Sequence, residues 1–379
     1  MIKEKDNIVL SITILLLLTV VNAPCDISGW LEGGFKTTNN VYSDSRQLSD
    51  TGCSLSGALS LKTKFAKNML FKLNYNLDAG GYFTQNYENE IFNSINASLK
   101  YFAVDSFEIN LDGNFDYSIL PNATIYNNYD IGFKPSLKWY IFDHTTITGS
   151  YIYDDIRYSE YNLDNKGNGG AIKIVQELSL YTCVEGMYKY KTMDYSEKYL
   201  YESVSGGIPT YKSVLRRDVE KTLEVLLSQV ISIDVSIDLI YRNIIFDSND
   251  NFLDFGPNQT ETLNTIIGDE RIITDYRSYI SNCGEIKMKI TPKDSLIVFS
   301  IFYTQKKYSG RLAKDETDKI KQPDEKRHDN QMVISGTWTF PVSEEVSLKL
   351  ACIYDTCDSN DLLYKYNKFT LGAFLSTGF

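Results

Sequence analysis

The chain has 379 residues and a formal net charge of -11 at pH 7, with 38 Lys and Arg residues against 49 Asp and Glu residues. This acidic balance provides no basic surface for a nucleic-acid partner. Aromatic residues make up 13% of the chain and 28 residues are Tyr, whereas Leu-rich helical patterning is largely absent. Because only 8 residues are Pro and no Pro/Gly/Ser-rich linker divides the sequence, one continuous domain is the simplest interpretation.

The N-terminus has the layout of a signal peptide, which we predict at residues 1–23. Lysines precede an apolar run at 8–21, and the small residue Ala23 offers a cleavage site. The run has about 14 residues, fewer than the roughly 20 that a membrane-spanning helix needs, so cleavage is favoured over anchoring. No later apolar run is long enough to span as a helix, which argues against a helical inner-membrane protein.

The remaining chain, residues 24–379, alternates between apolar and polar residues with a period of two. From Phe107 to Tyr117, the odd positions hold aromatic, aliphatic or Gly residues, and the even positions hold only Asp, Glu or Asn. Successive side chains on a strand point to opposite faces, so each such segment has one apolar and one polar face.

Strand length and loop spacing favour a membrane barrel over a soluble sandwich, which also alternates. Most segments keep the pattern for about ten residues or more, as tilted membrane strands require. Short turns are predicted near Lys67-Asn68, Val104-Asp105, Asp143-His144, Thr182-Cys183, Ile231-Ser232, Pro292-Asp294 and Val342-Glu345. Longer polar loops are predicted between them at 38–52, 82–91, 118–128, 156–169, 194–217, 246–274, 308–330 and 356–364.

The last predicted strand, at 367–379, supports a membrane barrel in addition to strand length and loop spacing. Phe369, Leu371, Leu375 and Phe379 share one face, and the chain stops on an aromatic residue. This pattern resembles the C-terminal strand signature of bacterial outer-membrane proteins, which the barrel-assembly machinery reads. The resemblance covers the architecture of the whole mature chain and implies a porin-like, transmembrane, antiparallel up-and-down β-barrel. It does not select a subfamily.

Counting segments from 29–36 to 367–379 predicts sixteen strands. An even number places both termini in the periplasm and the long loops outside the cell. The alternation slips near Thr182-Cys183 and at 219–230, so a 14-strand barrel remains an alternative. Two aromatic belts are also predicted: Phe65, Phe71, Phe102, Phe107, Trp139, Phe142 and Phe340 beside the short turns, and Tyr82, Tyr126, Tyr153, Tyr158, Tyr195, Tyr303 and Tyr308 towards the long loops.

In a bilayer, the apolar face contacts lipid and the polar face can line an aqueous lumen. The first strand begins within a few residues of Ala23, so we expect no N-terminal plug and only loops could narrow the pore. Loop 118–128 is short and lacks the Gly-rich acidic segment typical of general porins, whereas 194–217, 246–274 and 308–330 are long enough to fold inward. The candidate lumen residues carry both signs of charge: Lys62, Lys64, Lys72, Asp78, Glu108, Asp112, Asp116, Lys134, Lys138, Lys173, Glu177, Lys189, Glu220, Glu224, Asp234, Asp238, Arg242, Glu285, Lys287, Lys289 and Lys349.

The sequence offers little support for catalysis, a cofactor or a metal. His144 and His328 fall at opposite ends of the predicted barrel, so no site can use both. No Gly-rich phosphate loop leads from a strand into a helix. The loop around Asp250 loosely resembles a cation-binding loop but lacks the Gly and the terminal Glu of a calcium motif. The six Cys residues show no metal spacing, and we expect mostly free thiols.

These observations predict a non-enzymatic channel for passive or weakly selective diffusion of small hydrophilic solutes. The alternative is a barrel that anchors long surface loops for recognition, adhesion or a structural role. An uptake protein for apolar substrates ranks lower, because no N-terminal hatch is predicted. The expected partners are outer-membrane lipid, the barrel-assembly machinery and small solutes, and a homotrimer remains open.

Overall fold

The computed structural model describes residues 25–159, 163–205, 208–254, 271–315, 320–321 and 325–378. The predicted signal peptide and Phe379 lie outside these residues. Within the described residues, the helical elements are three short 3-10 helices, η1 (Asn86–Glu88), η2 (Thr124–Tyr126) and η3 (Leu362–Tyr364). No helix in this part of the chain is both long enough and apolar enough to cross a membrane.

The described chain is built almost entirely from strands. The first nine are β1 (Cys25–Thr38), β2 (Asp50–Ala66), β3 (Met69–Tyr82), β4 (Glu90–Val104), β5 (Phe107–Ile119), β6 (Asn128–Phe142), β7 (Thr145–Tyr158), β8 (Asn165–Ser179) and β9 (Thr182–Ser205). The others are β10 (Ile208–Ser232), β11 (Val235–Ser248), β12 (Phe252–Asp254), β13 (Arg271–Ile273), β14 (Tyr279–Ile290), β15 (Leu296–Leu312), β16 (Lys326–Pro341), β17 (Val346–Ser359) and β18 (Tyr366–Gly378).

Sixteen of these strands close into one antiparallel barrel. Each strand pairs with its sequence neighbours, and β1 completes the circle by pairing with β18 from Trp30↔Gly378 to Thr38↔Thr370. The short strands β12 and β13 form a separate two-stranded sheet in the connection between β11 and β14. The predicted count of sixteen is therefore confirmed, and the 14-strand alternative is wrong.

The predicted polar loop at 194–217 is wrong, because most of it is strand. β9 and β10, with 24 and 25 residues, continue their pairing through this region. Aromatic residues support the extension, since the rings of Tyr201 and Tyr211 lie 5.3 Å apart on facing strands. Three register shifts fall between Thr210 and Arg217. Each shift interrupts the alternation of faces, so the sequence there looks like a loop.

Two of the seven predicted short turns lie two residues from their predicted positions. The β8–β9 turn is at Leu180–Tyr181 and the β10–β11 turn at Ile233–Asp234. Their apolar residues Leu180 and Ile233 are 92% and 96% exposed. The polar residue Thr182 looked like a turn residue, but it begins β9, and its hydroxyl donates to the Gln229 side chain across the strand pair at 2.7 Å.

The two faces of the barrel differ in chemistry and in exposure. Apolar side chains such as Leu59 and Leu375 are 48% and 55% exposed, whereas Glu108 and Asp218 on the opposite face are 4% and 0% exposed. Side chains on the convex side of a curved sheet spread apart, and those on the concave side crowd together. The polar face is therefore the inner face, and the apolar outer face needs a lipid environment to be covered.

Candidate functional site

The cross-strand register places the predicted lumen residues together on the inner face, with one exception. Directly paired inner residues include Lys62 with Lys72 and Asp112 with Lys134. Asp234 is the exception: it lies in the β10–β11 turn and is exposed, because the turn is two residues later than predicted. The inner-face members are Lys62, Lys64, Lys72, Asp78, Glu108, Asp112, Asp116, Lys134, Lys138, Lys173, Glu177, Lys189, Glu220, Glu224, Asp238, Arg242, Glu285, Lys287, Lys289 and Lys349.

Ion pairs between strands neutralise much of this charge. The pairs with their N–O distances are Lys100–Glu108 at 3.1 Å, Lys173–Glu185 at 2.5 Å, Lys189–Glu220 at 2.5 Å, Arg242–Glu224 at 2.5 Å and Lys349–Glu32 at 2.7 Å. Both side chains are partly exposed in all of these pairs except Lys100–Glu108, whose carboxylate is buried, so the exposed pairs contribute modestly to stability. Because the charges in these pairs neutralise each other, an excess of one sign of charge is left in two stretches of the inner wall.

One unbalanced stretch is basic and lies on β2 and β3, towards their short turn. Lys62 and Lys72 face each other directly across the strand pair, and Lys64 lies one inner position further along β2. Asp26 on β1 is the other cross-strand partner of Lys62, so one carboxylate offsets part of a charge that stays positive overall. Among the described residues, none of these three ammonium groups forms an ion pair. Like charges in direct opposition raise the local positive potential, which attracts anions.

A second unbalanced stretch is acidic and lies on β5, β6 and β7, towards the long loops. Asp116 and Asp130 are direct cross-strand partners, and Asp154 lies on the next strand beside Gly132. Lys191 reaches Asp154 across the intervening strand β8. The inner wall therefore carries basic and acidic regions at different heights.

At the long-loop end, a set of residues that we call the first clasp ties β10 to β11. The Arg216 and Asp218 side chains are 3% and 0% exposed, and Arg216 Nε donates to Asp218 Oδ1 at 3.0 Å. Ser248 Oγ donates to the same carboxylate oxygen at 2.5 Å. The Asn249 side chain bonds the backbone of β10, and the Asp250 N–H donates to Ser248 Oγ at 3.1 Å.

A second clasp ties β16 to β17 with the same arrangement. Arg327 Nε and Nη2 donate to Asp329 at 2.9 and 2.7 Å, and Ser359 Oγ donates to Asp329 at 2.6 Å. The Asn360 side chain bonds the backbone of β16, and the Asp361 N–H donates to Ser359 Oγ at 3.0 Å. Burial raises the pKa of Asp361, which lies in the loop after β17, although the neighbouring Arg327 opposes this shift.

Sequence reasoning missed both clasps, although a signal was present. The string Asp-Ser-Asn-Asp occurs at 247–250 and at 358–361, and Arg-X-Asp occurs at 216–218 and 327–329. The resemblance of the first string to a cation-binding loop has a different explanation. Asp250 lies 2.9 Å from Arg277 Nε, and the described residues contain no cluster of metal ligands.

Several tyrosines predicted in the outer aromatic belt lie on the inner face, so that prediction is wrong for them. The Tyr195 ring lies 4.1 Å from the Arg216 guanidinium, and the Tyr82 ring lies 4.6 Å from Lys36 Nζ. Tyr308 also faces inward, on β15. These rings form cation–π contacts with cations on the inner face. The alternation near the strand ends did not predict that these tyrosines face inward. Beside a short turn, by contrast, the predicted belt residues Phe107 and Trp139 stack on the outer face at 5.8 Å.

The remaining predicted residues lie as follows. Phe369, Leu371 and Leu375 are exposed on the outer face of β18, while Phe379 lies outside the described residues. His144 lies in the β6–β7 turn, 3.6 Å from Glu177, and His328 lies on β16 near the opposite end of the barrel. All six Cys residues are free thiols.

Comparison with known proteins identifies the fold but no family. No protein-family model and no curated protein matches the chain. The in-vitro folded OmpT, an outer membrane protein of Vibrio cholerae, aligns with a TM-score of 0.51 at 9% identity, over 94% of this chain and 97% of that one. CdiB from Acinetobacter baumannii aligns with a TM-score of 0.50 at 11% identity, over 93% and 60%. OccK8 (OprE) of Pseudomonas aeruginosa aligns with a TM-score of 0.48 at 10% identity, over 94% and 98%.

The chain therefore has the fold of the bacterial outer-membrane β-barrels. Within that class, it is a closed barrel of sixteen antiparallel strands.

Proposed function

We propose that this protein is an outer-membrane channel through which small hydrophilic solutes diffuse passively or with weak selectivity. The observation that carries the proposal is the chemistry of the two faces of a closed 16-strand barrel. The outer face exposes apolar side chains, as lipid contact requires, while the inner face bears charges of both signs. A barrel of sixteen strands has room for an aqueous channel.

Passage would be diffusion guided by fixed charges, with no covalent step. The basic stretch at Lys62, Lys64 and Lys72 would concentrate anions, and the acidic stretch at Asp116, Asp130 and Asp154 would concentrate cations. We propose that the protein is not an enzyme, because its two histidines lie at opposite ends of the barrel. Each therefore lacks the other as a partner for acid–base chemistry.

The proposed location is the bacterial outer membrane, with both termini in the periplasm and the long loops outside the cell. An even number of strands supports a common side for the termini. The apolar face of β18, with Phe369, Leu371 and Leu375, would provide the signal for the barrel-assembly machinery. A homotrimer in the membrane is compatible with the proposal.

A charge-reversal experiment tests the channel. Replacing both Lys62 and Lys72 with Glu is expected to move the reversal potential, measured across a salt gradient in planar bilayers, towards cation preference. The physical reason is that the basic stretch becomes acidic at the same position on the wall. The matched control Lys67→Glu changes the charge in the neighbouring turn and should shift the potential far less. A purified, folded barrel that gives no conducting events would refute the channel itself.

We also propose that residues 1–23 are a signal peptide that is cleaved after Ala23, which can be tested separately. Mature protein from the outer-membrane fraction should begin at Pro24, as shown by intact mass. Replacing Ala23 with Tyr should leave unprocessed precursor, because the cleavage position requires a small residue. The conservative control Ala23→Ser should be processed normally. A mature protein that retains residues 1–23 would show that the N-terminal segment is an anchor.

The alternative function, a barrel that presents surface loops, is favoured by one observation. β9 and β10 keep their pairing as far as Ile208↔Ser205, well beyond their neighbours. Replacing residues 196–213 with a short turn distinguishes the two functions. If the channel is the function, conductance should persist and growth on small solutes should be unchanged. If surface recognition is the function, adhesion of cells to their target should be lost instead.

A further inference from the structure

A small cavity opens on the inner face beside the second clasp. Its volume is about 210 Å³, and its walls come from β15, β16, β17, β18 and η3. The wall contains the hydrogen-bond donors of Arg327, Lys306 and Thr304, the carboxylate of Asp329, the amide of Gln331 and the rings of Tyr308, Tyr364 and Tyr366. The cavity lies towards the long loops, where a solute would first enter the barrel.

In both clasps, Nη1 of the arginine is buried without a hydrogen-bond partner, and the clasps differ in the carboxylate beside it. In the first, Arg216 Nη1 has the carboxylate of Asp250 at 3.6 Å. In the second, the equivalent Asp361 instead accepts the Leu363 N–H and caps η3. Arg327 Nη1 is buried without a hydrogen-bond partner, in a residue that is 5% exposed. Among the described residues, Arg327 forms its ion pair with Asp329 alone.

Further hydrogen-bond donors line the cavity beside Arg327 Nη1. Thr304 Oγ1 is also buried without a hydrogen-bond partner. Lys306 Nζ lies 3.7 Å from the centre of the Tyr279 ring and forms no ion pair within the described part of the chain. Arg311 Nη2 donates to Tyr364 Oη at 2.6 Å, which leaves the proton of that hydroxyl available to another acceptor.

The aromatic rings in the wall indicate which kind of ligand body the cavity can contact. The Arg327 guanidinium lies 3.5 Å from the centre of the Tyr364 ring and 5.0 Å from that of Tyr308. Cys357, which is 7% exposed, adds another weakly polar surface to the wall. A ligand that fits must therefore accept hydrogen bonds from cations at one end and contact rings with the remainder.

We propose that this cavity binds a small carboxylate anion carried on an aromatic or apolar body. Buried polar groups without partners are rare, and a buried cationic donor is best satisfied by an anionic acceptor. Since Asp329 already occupies Nε and Nη2 of Arg327, the free Nη1 would donate one hydrogen bond to the ligand carboxylate. The volume of about 210 Å³ is below the roughly 300 Å³ of sites for drug-sized ligands, so it suits a small acid. The inference deepens the proposed function by naming a solute class. It rests on that function only for the statement that the bound anion goes on to cross the membrane.

The test is equilibrium binding to the purified, folded barrel. Benzoate is the probe, and benzamide is the uncharged molecule of the same shape. Isothermal titration calorimetry at low ionic strength should show saturable benzoate binding, and none for benzamide in the same concentration range. The Lys306→Gln variant should bind benzoate roughly 10-fold more weakly, since one charge-assisted hydrogen bond is lost. Added salt should weaken the binding of the unchanged protein.

Two matched controls separate the site from the general charge of the protein. Lys307→Gln removes the adjacent charge from the outer face of β15 and should leave affinity unchanged. Arg216→Lys alters the first clasp, whereas Arg327→Lys alters the second, and only the latter should weaken benzoate binding. Heat-modifiable electrophoretic mobility verifies that each barrel is folded. If Arg327→Lys does not fold, the comparison of Lys306→Gln with Lys307→Gln decides the question.

The binding and conductance results are independent of each other. Equal affinity for benzoate and benzamide, or equal loss in the Lys306 and Lys307 variants, would overturn the carboxylate site while leaving the channel intact. Saturable benzoate binding by a barrel that gives no conductance would keep the site and refute the channel.

Discussion

Replacing Asp218 with Ala is expected to destabilise the folded barrel by about 3–5 kcal/mol. The Asp218 side chain is 0% exposed and accepts hydrogen bonds from Arg216, from Ser248 at 2.5 Å and from the Tyr195 hydroxyl at 3.0 Å. Without the carboxylate, the guanidinium of Arg216 stays buried with its main counter-charge gone. Urea unfolding of the barrel in lipid vesicles, followed by tyrosine fluorescence, measures the change.

Two further variants show whether the cost comes from the buried charge. Asp218→Asn keeps the size and two of the hydrogen bonds but removes the charge, so its cost should fall below that of Asp218→Ala. Lys221→Gln breaks the nearby pair with Asp247, whose side chains are 39% and 57% exposed. That change should cost no more than about 1 kcal/mol. Equal unfolding midpoints for Asp218→Ala and Lys221→Gln would contradict the proposed role of the clasp.

The barrel was predictable from the sequence because its two faces meet different surroundings along most of each strand. In β5, the alternation from Phe107 to Tyr117 is uninterrupted, and the register shows every even residue on the inner face. Shifting such a strand by one residue would expose all its polar groups to lipid. The need for apolar side chains towards lipid and polar side chains inside therefore appears in consecutive residues as a period of two.

The β9–β10 extension was not predictable in the same way. Three register shifts between Thr210 and Arg217 remove the period of two, although the pairing itself continues. Beyond the bilayer, the two faces of a hairpin both meet water, so no environment enforces alternation there. The apolar–polar alternation requires lipid on one face and water on the other, so it is lost where both faces contact water.

The clasps were not predictable for a different reason, because their hydrogen bonds join residues that are far apart in the sequence. Ser248 and Ser359 each donate to a carboxylate 30 residues earlier in the chain, Asp218 and Asp329 respectively. The repeated four-residue string could be seen in the sequence, but its partner strand could not be identified from it. The cavity beside Arg327 is harder still to foresee. Beside it, Asp361 caps a 3-10 helix, whereas Asp250 in the first clasp forms an ion pair with Arg277, although the strings at 247–250 and 358–361 are identical.

Placing Arg at the centre of the outer face is expected to destabilise the barrel by about 2–4 kcal/mol. Leu59 is a suitable position, since it lies near the middle of β2 and is 48% exposed on the apolar face. In the membrane, the Leu59→Arg side chain would have to desolvate its charge or distort the bilayer to reach water. The measurement is reversible urea unfolding in vesicles of defined lipid, compared with the unchanged protein.

The control uses the adjacent residue, which belongs to the other face. Ala58 lies on the inner face opposite Trp30 and Asn76, where an added Arg side chain can extend into water. Ala58→Arg should therefore cost less than about 1 kcal/mol. Since the two variants add the same charge at almost the same depth, the difference between them isolates contact with lipid. If Ala58→Arg were the more costly change, the polar face would be the desolvated one. The assignment of inner and outer faces would then be reversed, and the proposal of an aqueous channel would fail with it.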